Sequence, residues 1–387
     1  LVKSVLSERK TLLPPNIEDI EHRELPETAG QAVRELAAEI VFTLDPAPGA
    51  AARTLADPAL IDLITARAGE LPAEVRTAMR PPATTAGACV LHRLPLRDNE
   101  IGPTPPDWQS ATAWTTEPGH PGCSFELDIA MLLLAAAAGE PFGWAGQQDG
   151  RLVNNIVPAA GHEFEQSGAS STILLSPHTE DAFHPRRANL LLLGCLRNPD
   201  RVGTTVSSVR RVDLTAAEQD ALRTPTLPIL PDVSYGSDFD RETAVPVPTL
   251  WCEPGDEGRP EALTMRFDPA YTPLDDAAPH YRAAYQRLEN ELERVCVLAC
   301  LEPGELLLVD NDVAVHGRVP FTARYDGTDR WLKRVNIRLP ERPRRAAESG
   351  ENGYGQRIIA PFAPLPAQRA RAERNGAVDD RGSVEHT

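Results

Sequence analysis

The stretch SPHTEDAFHPRRANLLLLGCL, residues 176–196, sets two histidines and two acids directly before an unbroken apolar run. A short apolar run fenced by Pro, Asn and charged residues reads as a strand buried on both faces. The polar segment therefore stands at the mouth of a buried strand. In an extended backbone, residues two apart face the same way, so His178 and Glu180 project together while Thr179 and Asp181 turn aside. One imidazole beside one carboxylate makes two thirds of a metal-binding set, although such a pair alone is more often solvated than functional.

Working outward, the same strand spacing recurs after residue 85 in ACVLHRLPL, RLVNNIVP, EALTMRF, GELLLVDN and WLKRVNIRL, with Gly, Pro and Asn turns between them and 37 prolines in the chain. Residues 25–80 instead carry apolar positions at three-to-four spacing, in AGQAVRELAAEIV and DPALIDLITARAGELPAEVRTAM, which predicts a helical scaffold. A further helix is expected over 279–301. The architecture that fits is mainly β with a helical layer: a double-stranded β-helix, or jelly roll, over 85–340, flanked by N-terminal helices. Residues 1–340 would form a single domain, and 341–387, rich in Arg, Ala, Pro and Gly, a loosely packed or disordered tail. A doubly wound α/β fold fits less well, because helices and strands do not alternate and no Gly-rich loop follows a strand.

Of 387 residues, 41% are hydrophobic, enough for a sizeable core. Lysine and arginine total 39 against 56 acids, a net charge of −17 that argues against nucleic acid and anionic membranes as partners. A small or cationic ligand suits it better. The longest apolar stretch, IAMLLLAAAAG at 129–139, is about half of the ~20 residues a membrane span needs and reads as a buried helix. Six cysteines without a CxxC pair, and no basic segment leading into an apolar one at the start, point to a reduced, cytoplasmic chain.

The third ligand expected beside His178 and Glu180 is His316, in LLLVDNDVAVHGRVPF, because it too follows an apolar strand and a turn. Two histidines and one carboxylate on one side of an ion form the facial triad of non-haem Fe(II) oxygenases. His184 is a nearby decoy whose neighbour Pro185 and surrounding charges favour a surface loop. His22, His92, His120, His162, His280 and His386 have no such setting and are expected to be structural or solvated. Downstream, Arg330 and Arg334 lie four apart in a strand and share a face with Leu332 and Asn336. Two inward guanidiniums require anions, and arginine pairs bidentately with carboxylates.

With those residues in view, FGWAGQQDG, HTEDAF, LRNPD followed by GTT, VDN followed by VHGR, and RYDGTDRWLKRVN resemble the clavaminate-synthase-like branch of Fe(II)/2-oxoglutarate oxygenases. The resemblance is nearest to its arginine hydroxylases of viomycin and streptothricin biosynthesis and covers residues 85–340. It implies Fe(II), with 2-oxoglutarate and O2 as cosubstrates, and hydroxylation of a free amino acid, first L-arginine at C3 and then C4, in antibiotic biosynthesis. By the same resemblance His178, Glu180 and His316 hold the metal, and Arg330 binds the far carboxylate of 2-oxoglutarate with Thr205, or failing that Thr204. Arg334 takes the substrate α-carboxylate, while Gln147 and Glu180 receive the α-amino group. Asp268 meets the guanidinium and Asp232 is a lid acid that closes over the substrate, although the position of a second family acid beside Asp268 is Ala270 here. Alternatives are another substrate (an enduracididine-like cyclic derivative, lysine, citrulline or asparagine), desaturation or cyclisation at the same site, and a non-catalytic jelly roll that binds metal and ligand.

Overall fold

The structure, a computed structural model, describes residues 20–43, 58–116, 124–235, 244–253 and 262–359. His120, His386 and residues 360–387 of the expected tail lie outside the described residues. Strand β1 (Glu21–Glu24) precedes helices α1 (Glu27–Thr43), α2 (Pro58–Ala68) and α3 (Ala73–Ala78) and strand β2 (Ala88–His92). Helices α4 (Asp98–Ile101), α5 (Trp108–Thr116) and α6 (Ser124–Ala138) lead to β3 (Glu140–Trp144), β4 (Asn154–Ile156) and β5 (Leu175–His178). Next come β6 (Leu190–Arg197), β7 (Thr204–Ser208), α7 (Ala216–Arg223), β8 (Leu250–Glu253) and β9 (Ala262–Met265). Helix α8 (Pro279–Arg294) is followed by β10 (Val297–Ala299), β11 (Leu306–Asp310), β12 (Ala314–Arg318), β13 (Trp331–Arg338) and β14 (Ile358–Ile359).

Two sheets form the core. The larger runs β1-β2-β11-β6-β13-β3-β14, with β4 also on β13, and the smaller runs β10-β7-β12-β5. Strand β6 shows how alternation builds both layers. Leu190 and Leu192 face the helices, where they pack with Val33, Ile64 and Leu133, whereas Leu191, Leu193 and Cys195 face Val206 and Val297 of the smaller sheet. Helix α6 is buried on nearly every side, which explains its uniformly apolar sequence. The expected jelly-roll core with a helical layer is borne out. Among the described residues, no helix is long and apolar enough to cross a membrane.

Three local expectations need correction. The helix begun at Pro279 stops at Arg294, and Val297–Ala299 forms a strand paired antiparallel with β7; this β-branched, apolar run gains more by completing the small sheet than by extending a polar helix. Residues 341–359 are packed rather than loose: β14 pairs with β3, and Arg344 and Glu348 are buried. The third concerns His184, which is buried and not on a surface loop, with its ring 4.4 Å from that of Trp144.

The hydrogen bonds of His184 fix its protonation. Its Nδ1 accepts from the Arg186 amide at 2.9 Å, so the proton sits on Nε2, which donates to the Gln356 carbonyl at 3.2 Å. Protonating Nδ1 would break the first bond inside an apolar pocket. Burial accordingly pushes the imidazole down to about 3, against the weaker upward pull of the Gln356 carbonyl. A depressed histidine stabilises the fold fully above its unfolded value near 6.5 and loses that contribution as pH falls toward 3. Between those limits the unfolding free energy should fall by up to about 1.4 kcal/mol per pH unit from this group. Urea midpoints of wild type and His184→Gln measured from pH 7.5 to 5 should therefore converge as the pH drops.

Candidate active site

The site is built where the two sheets part. Strands β5 and β12 run antiparallel with His178 opposite His316, so both imidazoles emerge on one face with ring centroids 4.5 Å apart. Close approach of these strands requires Gly317, since a Cβ there would collide with the Leu175 carbonyl. Beyond His178 the chain leaves the strand. Thr179 exchanges hydrogen bonds with Phe267, and the Asn311 amide both accepts from the Glu180 N–H at 2.8 Å and donates to its carbonyl at 3.1 Å. Asp181 then adopts φ +53°, a left-handed conformation disfavoured for a non-glycine residue.

This turn aims Glu180 back between the histidines. Its Oε2 lies 3.3 Å from His316 Nε2 and 3.8 Å from His178 Nε2. The Ser176 carbonyl, 2.9 Å from His178 Nδ1, fixes the ring so that Nε2 faces the Glu180 carboxylate. Burial works against ionising Glu180, but Arg334 and the two imidazoles outweigh it and hold the carboxyl well below the usual range. Among the described residues these three side chains are the group whose donor atoms could hold a metal ion. An ionised carboxylate and two imidazole nitrogens, converging at a cavity that leaves positions open, match the facial donor set of Fe(II).

That cavity, about 580 Å³, brings together nine of the ten residues singled out from sequence: His178, Glu180, His316, Arg330, Arg334, Gln147, Asp232, Asp268 and Thr204. Thr205 is the exception. It follows Thr204 in β7, so its side chain turns to the opposite face, and its buried hydroxyl has no hydrogen-bond partner. Arg330 donates to Thr204 Oγ1 at 3.1 Å and has no carboxylate partner among the described residues, so burial lowers its guanidinium to about 10. Arg334 bonds Glu180, Gln147 at 2.5 Å and Asn154 at 3.0 Å. Elsewhere on the cavity wall, burial and the proximity of Asp232 push Asp268 up to about 7 against the pull of His178.

Sequence reasoning missed several supports. Arg318 also faces the cavity, yet its donors go to Ser170 and to the carbonyls of Ser171, Ile173 and Val319. Asn154, Asn311, Trp144, Tyr235 and Ser234 were equally unmarked. Of these, Trp144, Asn154, Asn311 and Arg318 stood inside quoted stretches, FGWAGQQDG, RLVNNIVP, VDN and VHGR, without being singled out.

Residues 137–336 match the family described as taurine catabolism dioxygenase TauD, TfdA family. This chain belongs to that dioxygenase family. The dioxygenase is 35% identical to the enduracididine β-hydroxylase of Streptomyces hygroscopicus, over 72% of this chain and 85% of the relative. It is 36% identical to the L-ornithine/L-arginine 3-hydroxylase of Catenulispora acidiphila, over 64% and 76% of the two chains. Among solved structures, the non-heme iron oxygenase OrfP in complex with Fe and α-ketoglutaric acid superposes with a TM-score of 0.66 at 36% identity, over 82% of this chain and 94% of that one. The dioxygenase thus uses Fe(II), 2-oxoglutarate and O2, as the resemblance implied.

The two threonines separate cleanly in this geometry. Thr204→Val removes the hydroxyl that accepts from the Arg330 guanidinium, a charge-assisted bond of about 1.5 kcal/mol, and should raise KM for 2-oxoglutarate on the order of ten-fold, whereas Thr205→Val should leave it within about two-fold. Steady-state succinate formation over a range of 2-oxoglutarate concentrations measures both.

Proposed function

We propose that this dioxygenase hydroxylates a free amino acid with a cationic side chain, L-arginine at C3 and then C4, in a cytoplasmic antibiotic-biosynthetic pathway. The observation that carries the reading is the polarity of the cavity. Arg330 and Arg334 enter it from the start of β13, while the carboxylates of Asp268 and Asp232 enter it from separate loops and accept from the Ala270 and Ser234 amides. Such a space suits a ligand that is anionic at one end and cationic at the other.

His178, Glu180 and His316 would hold Fe(II), which with 2-oxoglutarate and O2 supplies the oxidising power to replace a C–H bond by C–OH. The protein's share is placement. Arg330 and Thr204 would hold the far carboxylate of 2-oxoglutarate. The guanidinium of Arg334 would take the substrate α-carboxylate, and Gln147 with the outer oxygen of Glu180 the α-amino group. Asp268 would meet the distal cation, with Asp232 sharing the charge because Ala270 offers none. Binding the amino acid by both ends fixes which carbon is presented and excludes water from it.

Mass spectrometry of aerobic reactions with each common free amino acid tests the proposal; product from a neutral amino acid in preference to arginine overturns it. The charge argument makes a sharper expectation. Removing the partner of a desolvated cation costs about 3 to 5 kcal/mol, so Asp268→Asn should lower kcat/KM for arginine by on the order of a hundred- to several-thousand-fold. Citrulline, with no charge to lose, should change far less, and Asp232→Asn should shift the arginine-to-citrulline ratio the same way by a smaller factor.

A further inference from the structure

The Glu180–Arg334 ion pair belongs to a closed circuit of contacts. Arg334 donates to Gln147 Oε1 at 2.5 Å, and Gln147 Nε2 donates to Ser234 Oγ at 3.3 Å. Ser234 lies in the short turn Val233–Tyr235, which is stitched to Asp232 through the Ser234 and Tyr235 amides. From the same turn the Tyr235 hydroxyl donates to Asp181 Oδ1 at 2.5 Å. Asp181 is the residue after Glu180, and its other oxygen accepts from Trp144 Nε1 at 2.5 Å and Asn336 Nδ2 at 3.2 Å. The circuit therefore returns to Glu180 through a backbone held left-handed by three donors.

We propose that Asp181 and Tyr235 are positioning residues that make the metal-side carboxylate respond to occupancy of the amino-acid end of the cavity. The inference rests on the reading that the chain hydroxylates a free amino acid. Two routes join the 232–235 turn to the Glu180–Arg334 pair, one through Ser234 and Gln147 and one through Tyr235 and Asp181. A ligand carboxylate arriving at Arg334 competes for the donors now given to Glu180 and Gln147. Any shift of Gln147 passes to Ser234, and the turn, which also carries Asp232, passes it through Tyr235 to the residue that sets the direction of Glu180. Without the Tyr235 hydroxyl the second route is cut while every proposed ligand-binding group stays in place.

Two measurements test this on the full chain. In the metal-free protein, hydrogen exchange with and without L-arginine should show residues 178–181 and 232–235 of wild type protected together; in Tyr235→Phe, protection should persist at 232–235 and fall at least three-fold at 178–181. In the Fe(II)-loaded enzyme, hydroxylated product per succinate should drop at least three-fold in Tyr235→Phe, with KM for 2-oxoglutarate within two-fold. Asp181→Asn, whose single oxygen can accept from Trp144 and Asn336 or from Tyr235 but not on both sides, should give an intermediate ratio. Wild-type ratios and joint protection in both variants, or succinate and product falling in step, overturn the proposal; if Tyr235→Phe fails to fold, Asp181→Asn decides it by the same two readings. Absence of succinate from wild type with every free amino acid would instead sink the functional reading on which it rests.

Discussion

Glu180 is a carboxylate kept ionised between two sheets, and the rest of the site follows from what that requires. An ion buried this deeply is tolerated only if its partners are close and fully bonded; breaking such a pair typically costs about 3 to 5 kcal/mol. Here the carboxylate comes from the smaller sheet, just past β5, and its guanidinium from β13 of the larger one. The pair thus spans the gap and acts as a strut at the open end of the sandwich, where apolar side chains alone would draw the sheets together. Asn311, from the turn between β11 and β12, fixes the peptide that carries the carboxylate.

Charge is sorted around that strut. Arg318 and Arg330 are both buried without an acid partner among the described residues, and burial, aided for Arg318 by its cationic neighbour, lowers them to about 9 and 10. Asp268 and Asp232, which line the same cavity, are raised by burial. Each of these groups is of the sign that an oppositely charged ligand atom would stabilise.

Much of this was legible because period-two alternation is a strong signal where both faces of a strand are buried. In WLKRVNIR Leu332 and Arg334 face the cavity, Asn336 on the same face donates to Asp181, and Val335 and Ile337 face the helices, as spacing alone requires. Alternation fails at Thr204 and Thr205, where adjacent identical residues offer no pattern to say which turns inward; only pairing with His316 and Arg318 across β12 settles the phase. It also could not foresee Tyr235 or Ser234, which reach the site from a turn with no periodicity. His184 was misread because local charge was weighed, while the residues that bury it, Trp144 and Gly353, are distant in sequence.

The packed segment after Leu339 bears on how the chain is made. Arg187 is buried against Glu348 at 2.6 Å, and Arg266 against Glu351 at 2.8 Å, while the Arg344 guanidinium caps the carbonyls of Arg187 and Ala188. Until residues 344–351 have left the ribosome, two guanidiniums destined for the interior have no counter-ion. A nascent chain that already holds His178, Glu180 and His316 must therefore keep the region behind the metal-side turn hydrated until residues 344–351 arrive to let it dry and set.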